Sequence, residues 1–263
     1  MNFDVAPYWY GAAAIAGLGA GVLVNFAADR IAGDEEPPWR AGACRTCGAE
    51  LPAARIVPLL NLAASRRACA ACGARASLRR PLLEVMLTLL FPLLLAHLAS
   101  PDSGGIVHLA PVGIFAIEAV ATAVLAFIFA VDLEHHLILD ISVYPTVAGL
   151  LLVALLFDHK AFAGMLFGVV ICGGLFLLLY VAGYVIYHTE ALGFGDVKLA
   201  VLIGLLTGWP GVTTALVIAA LLGAAVSVLL LGLGSATGRT FIPYGTALAA
   251  GAVAALLFAP PLW

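Results

Sequence analysis

Residues 111–140 read PVGIFAIEAVATAVLAFIFAVDLEHHLILD, and this stretch decides the fold. From His108 to Val131 the run is apolar except for Glu118, and a helix needs about 20 such residues to cross a bilayer. It then meets Asp132, a short polar segment and Asp140, from which a second apolar run departs. Working outward, comparable runs lie near 8–28, 81–99, 141–157, 161–186, 197–208, 211–233 and 241–258. Of the 263 residues 63% are hydrophobic and only 10% charged, with mean hydropathy +1.11, a balance that excludes a soluble enzyme core. The expected fold is an all-α polytopic membrane protein with about eight transmembrane helices. Membrane lipid is then its surroundings, and nothing in the pattern points to nucleic acid as a partner.

Charge sets the expected orientation. Nine of the twelve Lys and Arg fall between the first two spans: Arg30, Arg40, Arg45, Arg55, Arg66, Arg67, Arg75, Arg79 and Arg80. Basic loops mark the cytoplasmic side, so this segment is expected inside and the N-terminus outside. Met1 to Tyr10 carries Asp4 and no basic residue, which reads against a cleaved leader, so the first span is expected to remain as an anchor. Counting spans onward brings residues 132–140, 187–197 and 234–240 to the same cytoplasmic face.

Segment 29–80 is a water-exposed insertion in which nine arginines outweigh Asp29, Asp34, Glu35, Glu36 and Glu50 for a net charge of +4. It holds Cys44-Arg45-Thr46-Cys47 and Cys69-Ala70-Ala71-Cys72, each pair followed by a glycine, Gly48 and Gly73. Two C-x2-C turns of this kind point four thiolates at one ion, and a reducing cytoplasm argues against two disulfides. The expectation is structural zinc on Cys44, Cys47, Cys69 and Cys72, with no open position for water. The domain division follows: 1–28 a first transmembrane helix, 29–80 a cytoplasmic four-cysteine zinc insertion, 81–263 a multi-helix membrane core. Cys172, alone in an apolar span, reads as a small buried hydrophobe.

Two acids stand out, Asp132 and Asp196, each at the cytoplasmic end of a span. A charge in hydrocarbon costs at least about 2.5 kcal/mol, so acids beside spans mark function by default. Asp132 ends a helix, where the macrodipole disfavours a carboxylate, so capping does not explain it. Asp140, by contrast, reads as an N-cap. Asp196 follows Gly193-Phe194-Gly195, whose glycines permit close backbone approach. Two carboxylates sharing a site hold one proton between them, so one can deprotonate water while the other donates to a scissile carbonyl. That pairing points to an aspartyl protease. The alternative is a transporter or channel whose buried acids bind a cation, motivated by the Gly-interrupted spans.

These motifs resemble those of the type IV prepilin leader peptidases, polytopic aspartyl proteases of the Gly-x-Gly-Asp class. Gly17-Leu18-Gly19-Ala20-Gly21-Val22-Leu23-Val24-Asn25 through Arg30 resembles the family's opening helix, and the Cys pairs its cytoplasmic insertion. Arg80-Pro81-Leu82-Leu83-Glu84 resembles its Arg-x-Pro-x-x-Glu, and Ile242-Pro243-Tyr244-Gly245 its closing Ile-Pro-Phe-Gly. Asp132 with Asp140, and Gly193-Phe194-Gly195-Asp196-Val197-Lys198-Leu199, resemble its two catalytic blocks. The resemblance implies that Asp132 and Asp196 are the catalytic pair of a bacterial inner-membrane enzyme with its active site toward the cytoplasm. It implies cleavage of the basic leader of type IV prepilin or pseudopilin precursors, in pilus or type II secretion systems. It also implies N-methylation of the new N-terminal residue with S-adenosylmethionine as donor.

Lesser signals have plainer readings. Glu84, near Arg79 and Arg80, is expected in an interfacial ion pair, and Glu118 neutral or paired inside the bundle. His135 and His136 read as solvated loop residues, Lys198 as a positive-inside anchor, and Gly168, Gly173, Gly174, Gly183, Gly204 and Gly208 as helix-packing positions. The Gly17–Gly21 run follows no strand and is not a nucleotide fingerprint.

Overall fold

The structure, a computed structural model, describes residues 6–31, 47–49, 69, 71–73, 78–100, 111–157, 159–188, 192–233 and 244–259. Among these residues there are seven helices: α1 Pro7–Ile31, α2 Arg79–Ala99, α3 Pro111–His135, α4 Asp140–Phe157, α5 His159–Tyr187, α6 Phe194–Gly232 and α7 Tyr244–Phe258. Six are long and apolar enough to cross a membrane, and α7 is a shorter apolar helix. The helices divide between two compact units, Ala6–Leu93 and Leu94–Trp263.

In the first unit α1 lies directly on α2. A Cβ at Gly17 would strike the Leu87 carbonyl, and one at Gly21 would come within 2.8 Å of the Glu84 Cα. This small-xxx-small stripe lets two backbones touch, the usual way helices associate in lipid, where no hydrophobic effect drives them together. Polar groups lock the end of the pair: Arg79 and Arg80 both close on Asp29, and Asn25 Nδ2 donates to the Arg80 carbonyl at 2.9 Å and faces Glu84 Oε1 at 3.5 Å. The arginines begin α2 and reach back to the end of α1. Glu84, one turn deeper, is fully buried.

In the second unit α6 holds two of the expected runs as two legs joined at a sharp break. The two runs at 197–208 and 211–233 form one helical stretch of 39 residues. A straight helix of that length would reach about 58 Å, nearly twice the ~30 Å hydrocarbon core. It does not run straight, because Gly208 (φ 52, ψ −168) and Trp209 (φ −94, ψ 135) break the helical backbone ahead of Pro210. The chain doubles back there. Gly195, before the break, abuts Ile138, which also abuts Gly245, while Gly223, after it, lies against Tyr244. The first leg packs antiparallel on α5 through the mutual close approach of Gly168 and Gly204, and the second on α7 through Gly251 against Ala215 and Ala219. Eight apolar rods thus come from seven helices, and the helix ends bearing residues 132–140, 194–198 and 244–246 gather at one end of this unit.

Candidate active site

Helix α3 ends at His135, three residues after Asp132. His136 takes a left-handed conformation (φ 54), and its N–H returns to the Asp132 carbonyl at 2.9 Å, the turn that usually ends a helix on glycine. The Asp132 side chain, 5% exposed, is not left against the negative end of its own helix. The Thr246 backbone N–H, third residue of α7, donates to Asp132 Oδ2 at 2.7 Å. One of the unpaired N–H groups that every helix start carries thus meets a carboxylate, and the positive end of the α7 dipole offsets the negative end of α3. This answers the question that the position of Asp132 poses. Gly245 makes it possible, since a Cβ there would stand 2.8 Å from Asp132 Oδ2.

Asp196 is the third residue of α6 and is 8% exposed. Gly193 is the N-cap, in extended conformation and without a side-chain bond, and its carbonyl accepts from the Asp196 N–H at 3.0 Å. An acid at this position of a helix faces the favourable end of the dipole. Gly195, expected to permit close backbone approach, makes that approach to Ile138, 3.1 Å from where a Cβ would stand. Ile138 also packs 3.1 Å from the corresponding point on Gly245. One isoleucine, six residues after Asp132 in the α3–α4 loop, therefore packs on both the Asp196 segment and the start of α7, and the two carboxylates lie close enough to feel each other's charge.

Thr246, Gly245 and Ile138 are the residues that sequence reading missed. Pro243-Tyr244-Gly245 ahead of an apolar run did signal a helix start, but nothing local tied it to Asp132, 114 positions earlier. Tyr244 stacks on Phe176 of α5, ring centroids 6.1 Å apart. Asp140 opens α4 as expected, yet its carboxylate goes to Lys198 Nζ at 2.6 Å instead of capping its own helix. Lys198 is accordingly a partner of that acid and more than a membrane anchor. His135 and His136 are exposed. Glu118 is 1% exposed in mid-helix, with Oε2 unpaired, as is Thr122 Oγ1 one turn on.

In the first unit the thiols of Cys47, Cys69 and Cys72 lie within 4.8 Å of one another; Cys44, the fourth expected ligand, is outside the described residues. The Cys47 and Cys69 sulfurs are 3.8 Å apart. Tetrahedral zinc with Zn–S bonds of about 2.3 Å separates its sulfurs by roughly 3.8 Å, so this donor set fits the metal. The glycine after each pair has positive φ, 71° at Gly48 and 72° at Gly73, and the Gly73 N–H bonds the Cys69 carbonyl at 2.8 Å, closing the knuckle turn. Among the described residues no other group of His, Cys, Asp and Glu converges in this way.

Comparison with known proteins agrees with these motifs. Residues 119–228 match the profile of the Type IV leader peptidase family, and residues 15–98 that of the Bacterial Peptidase A24 N-terminal domain. The chain is 30% identical over 226 residues to a prepilin leader peptidase/N-methyltransferase of Myxococcus xanthus, covering 86% of this chain and 63% of that protein. Proteins of the same designation from Pseudomonas aeruginosa (28% identity, 82% of this chain, 71% of the relative) and Aeromonas hydrophila (29%, 86% and 76%) are similarly related. The chain thus spans just under two thirds of the Myxococcus protein and somewhat more of the other two. No solved structure matches. With both profiles aligned in order along a multi-pass helical chain, the protein belongs to the type IV leader peptidase family.

Proposed function

We propose that this protein is a membrane aspartyl endopeptidase that removes the basic leader from type IV prepilin or pseudopilin precursors at the cytoplasmic face of the bacterial inner membrane. The observation that carries the reading is the gathering of Asp132 and Asp196 at one end of the second unit, each at a helix terminus and nearly buried. In this reading the pair shares one proton. The ionised member takes a proton from water, whose oxygen attacks the scissile carbonyl. The protonated member gives its proton to the carbonyl oxygen; as the C–N bond breaks, the member that took the proton from water passes it to the leaving amine, and the collapsing diol returns one proton to the pair. The Thr246 N–H keeps Asp132 oriented throughout, since Oδ2 accepts from it and Oδ1 makes no such bond among the described residues and can turn toward water or substrate.

The relatives' designation also supports methylation of the new N-terminus, for which S-adenosylmethionine supplies the methyl group. Cys44, Cys47, Cys69 and Cys72 hold structural zinc in this account, and the ion's contribution is to fold the polar insertion between the first two spans. Incubating purified protein with a pilin-like precursor, with and without S-adenosylmethionine, tests both activities by mass. Leader loss without the donor, and a further gain of about 14 Da with it, are expected from this chemistry. An intact precursor in both arms refutes the peptidase reading, and cleavage without mass gain refutes methylation alone.

A further inference from the structure

The two acid-bearing segments are joined a second time, outside the Ile138 seat. Lys198 lies two residues after Asp196 in the opening turns of α6, and Asp140 begins α4 immediately after the loop that leaves Asp132. Their 2.6 Å ion pair closes a ring: Asp132, the loop 136–139, Asp140, Lys198 and back to Asp196. The ammonium is held by more than one group. It lies 5.5 Å from the ring centroid of Tyr144, one turn beyond Asp140 on the same face of α4, and 5.3 Å from that of Phe194 on its own helix. Phe194 in turn packs edge-on against Tyr180 of α5, centroids 5.5 Å apart. The starts of α4 and α6 therefore meet at one cation beside the candidate dyad, and α5 backs one of its rings.

The geometry points to the Asp140–Lys198 pair as a positioning latch that sets the separation of Asp132 and Asp196, without itself touching substrate. This rests on the peptidase reading above. The loop 136–139 forms no helix or strand, and its first N–H returns to the Asp132 carbonyl, so its placement over α6 depends on how its middle packs and on what grips its α4 end. Ile138 grips the middle by packing alone, and the ion pair grips the α4 end. An isolated surface pair contributes little, and the Asp140 side chain is 55% exposed; the lysine, 21% exposed, is held in addition by the two rings.

The test uses the full-length protein and a pilin-like precursor. Asp140→Lys and Lys198→Asp should each lower kcat by about tenfold or more with KM little changed, because misplacement by an ångström near the chemistry costs up to ~10²-fold. The double exchange, Asp140→Lys with Lys198→Asp, should recover most of the loss, and Lys198→Arg should retain activity that Lys198→Gln loses. A double exchange no better than either single, or singles with unchanged kcat, overturns the latch. A second readout does not depend on peptidase activity. Asp132→Cys with Asp196→Cys, oxidised and read by peptide mass, should cross-link several-fold more slowly when Lys198→Gln is added. Equal cross-linking overturns the latch even where the variants fold poorly, whereas a wild-type protein that leaves the precursor intact counts against the peptidase reading alone.

Discussion

Replacing Gly245 with alanine adds one methyl group where the Asp132 carboxylate already stands. The new Cβ would lie 2.8 Å from Oδ2, 2.9 Å from Cγ and 3.1 Å from Ile138 Cδ1. Ordinary carbon contacts begin near 3.5 Å, so the carboxylate must retreat by about 0.6 Å. The 2.7 Å bond from the Thr246 N–H, stretched by a comparable amount, passes the ~3.2 Å limit for such bonds. A hydrogen bond to a charged group contributes about 1.5–3 kcal/mol, so losing it costs roughly ten- to a hundredfold if it falls on the transition state. The assay is kcat for cleavage of a pilin-like precursor, with thermal stability in detergent measured alongside. Gly149→Ala is the control, because a Cβ at that position of α4 meets nothing within 4 Å. A Gly245→Ala protein with kcat within about twofold of wild type would refute the proposed role of the α7 N-terminus, since twofold is far below the expected loss.

Other predictions follow from the same contacts. Cys47→Ser should lower bound zinc well below one ion per chain and destabilise the insertion, read by metal analysis and limited proteolysis; full stoichiometric zinc in that variant contradicts the thiolate site. Gly204→Val forces apart α5 and the first leg of α6 at their crossing with Gly168, and should lower the melting temperature in detergent by an amount matching about 1–3 kcal/mol of overpacking, or more. An unchanged melting temperature refutes that crossing. Ile138→Ala removes the side chain shared by Gly195 and Gly245, and should slow cleavage more than it lowers the melting temperature, because Ile138 is only partly buried. The opposite order refutes its role as a seat for the two acids.

What could be read from the chain alone was what depends on neighbours in sequence. Apolar runs of membrane length, the paired cysteines with their turn-relieving glycines, and the acids at span ends all express local physics, and the structure keeps each of them where it is described. The break at Gly208-Trp209-Pro210 was visible as a gap between two short runs. Counting those runs as separate spans already implies that the chain reverses there; the packing on α5 and α7 that receives the two legs was not visible. The same limit hid the partners of the acids. Asp132 was recognisable as unfavourable at its own helix end, but its relief comes from a backbone N–H 114 residues away, and a backbone group carries no sequence signature. Asp140 had a satisfactory local account as a cap, and a lysine 58 positions on displaced it. Arg79 and Arg80 reach back to Asp29 on α1, a partner that no local pattern announced.

The central claim is that Asp132 and Asp196 act together as one catalytic pair. Asn is isosteric with Asp and can still accept the Thr246 N–H, so Asp132→Asn and Asp196→Asn should leave helix packing intact while removing the shared proton chemistry. The decisive measurement is the mass of a pilin-like precursor after incubation with wild type and with each variant, all confirmed as folded membrane proteins. The account predicts that wild type releases the leader and both variants leave the precursor whole. Cleavage at the same bond by either variant, at a rate near that of wild type, contradicts it.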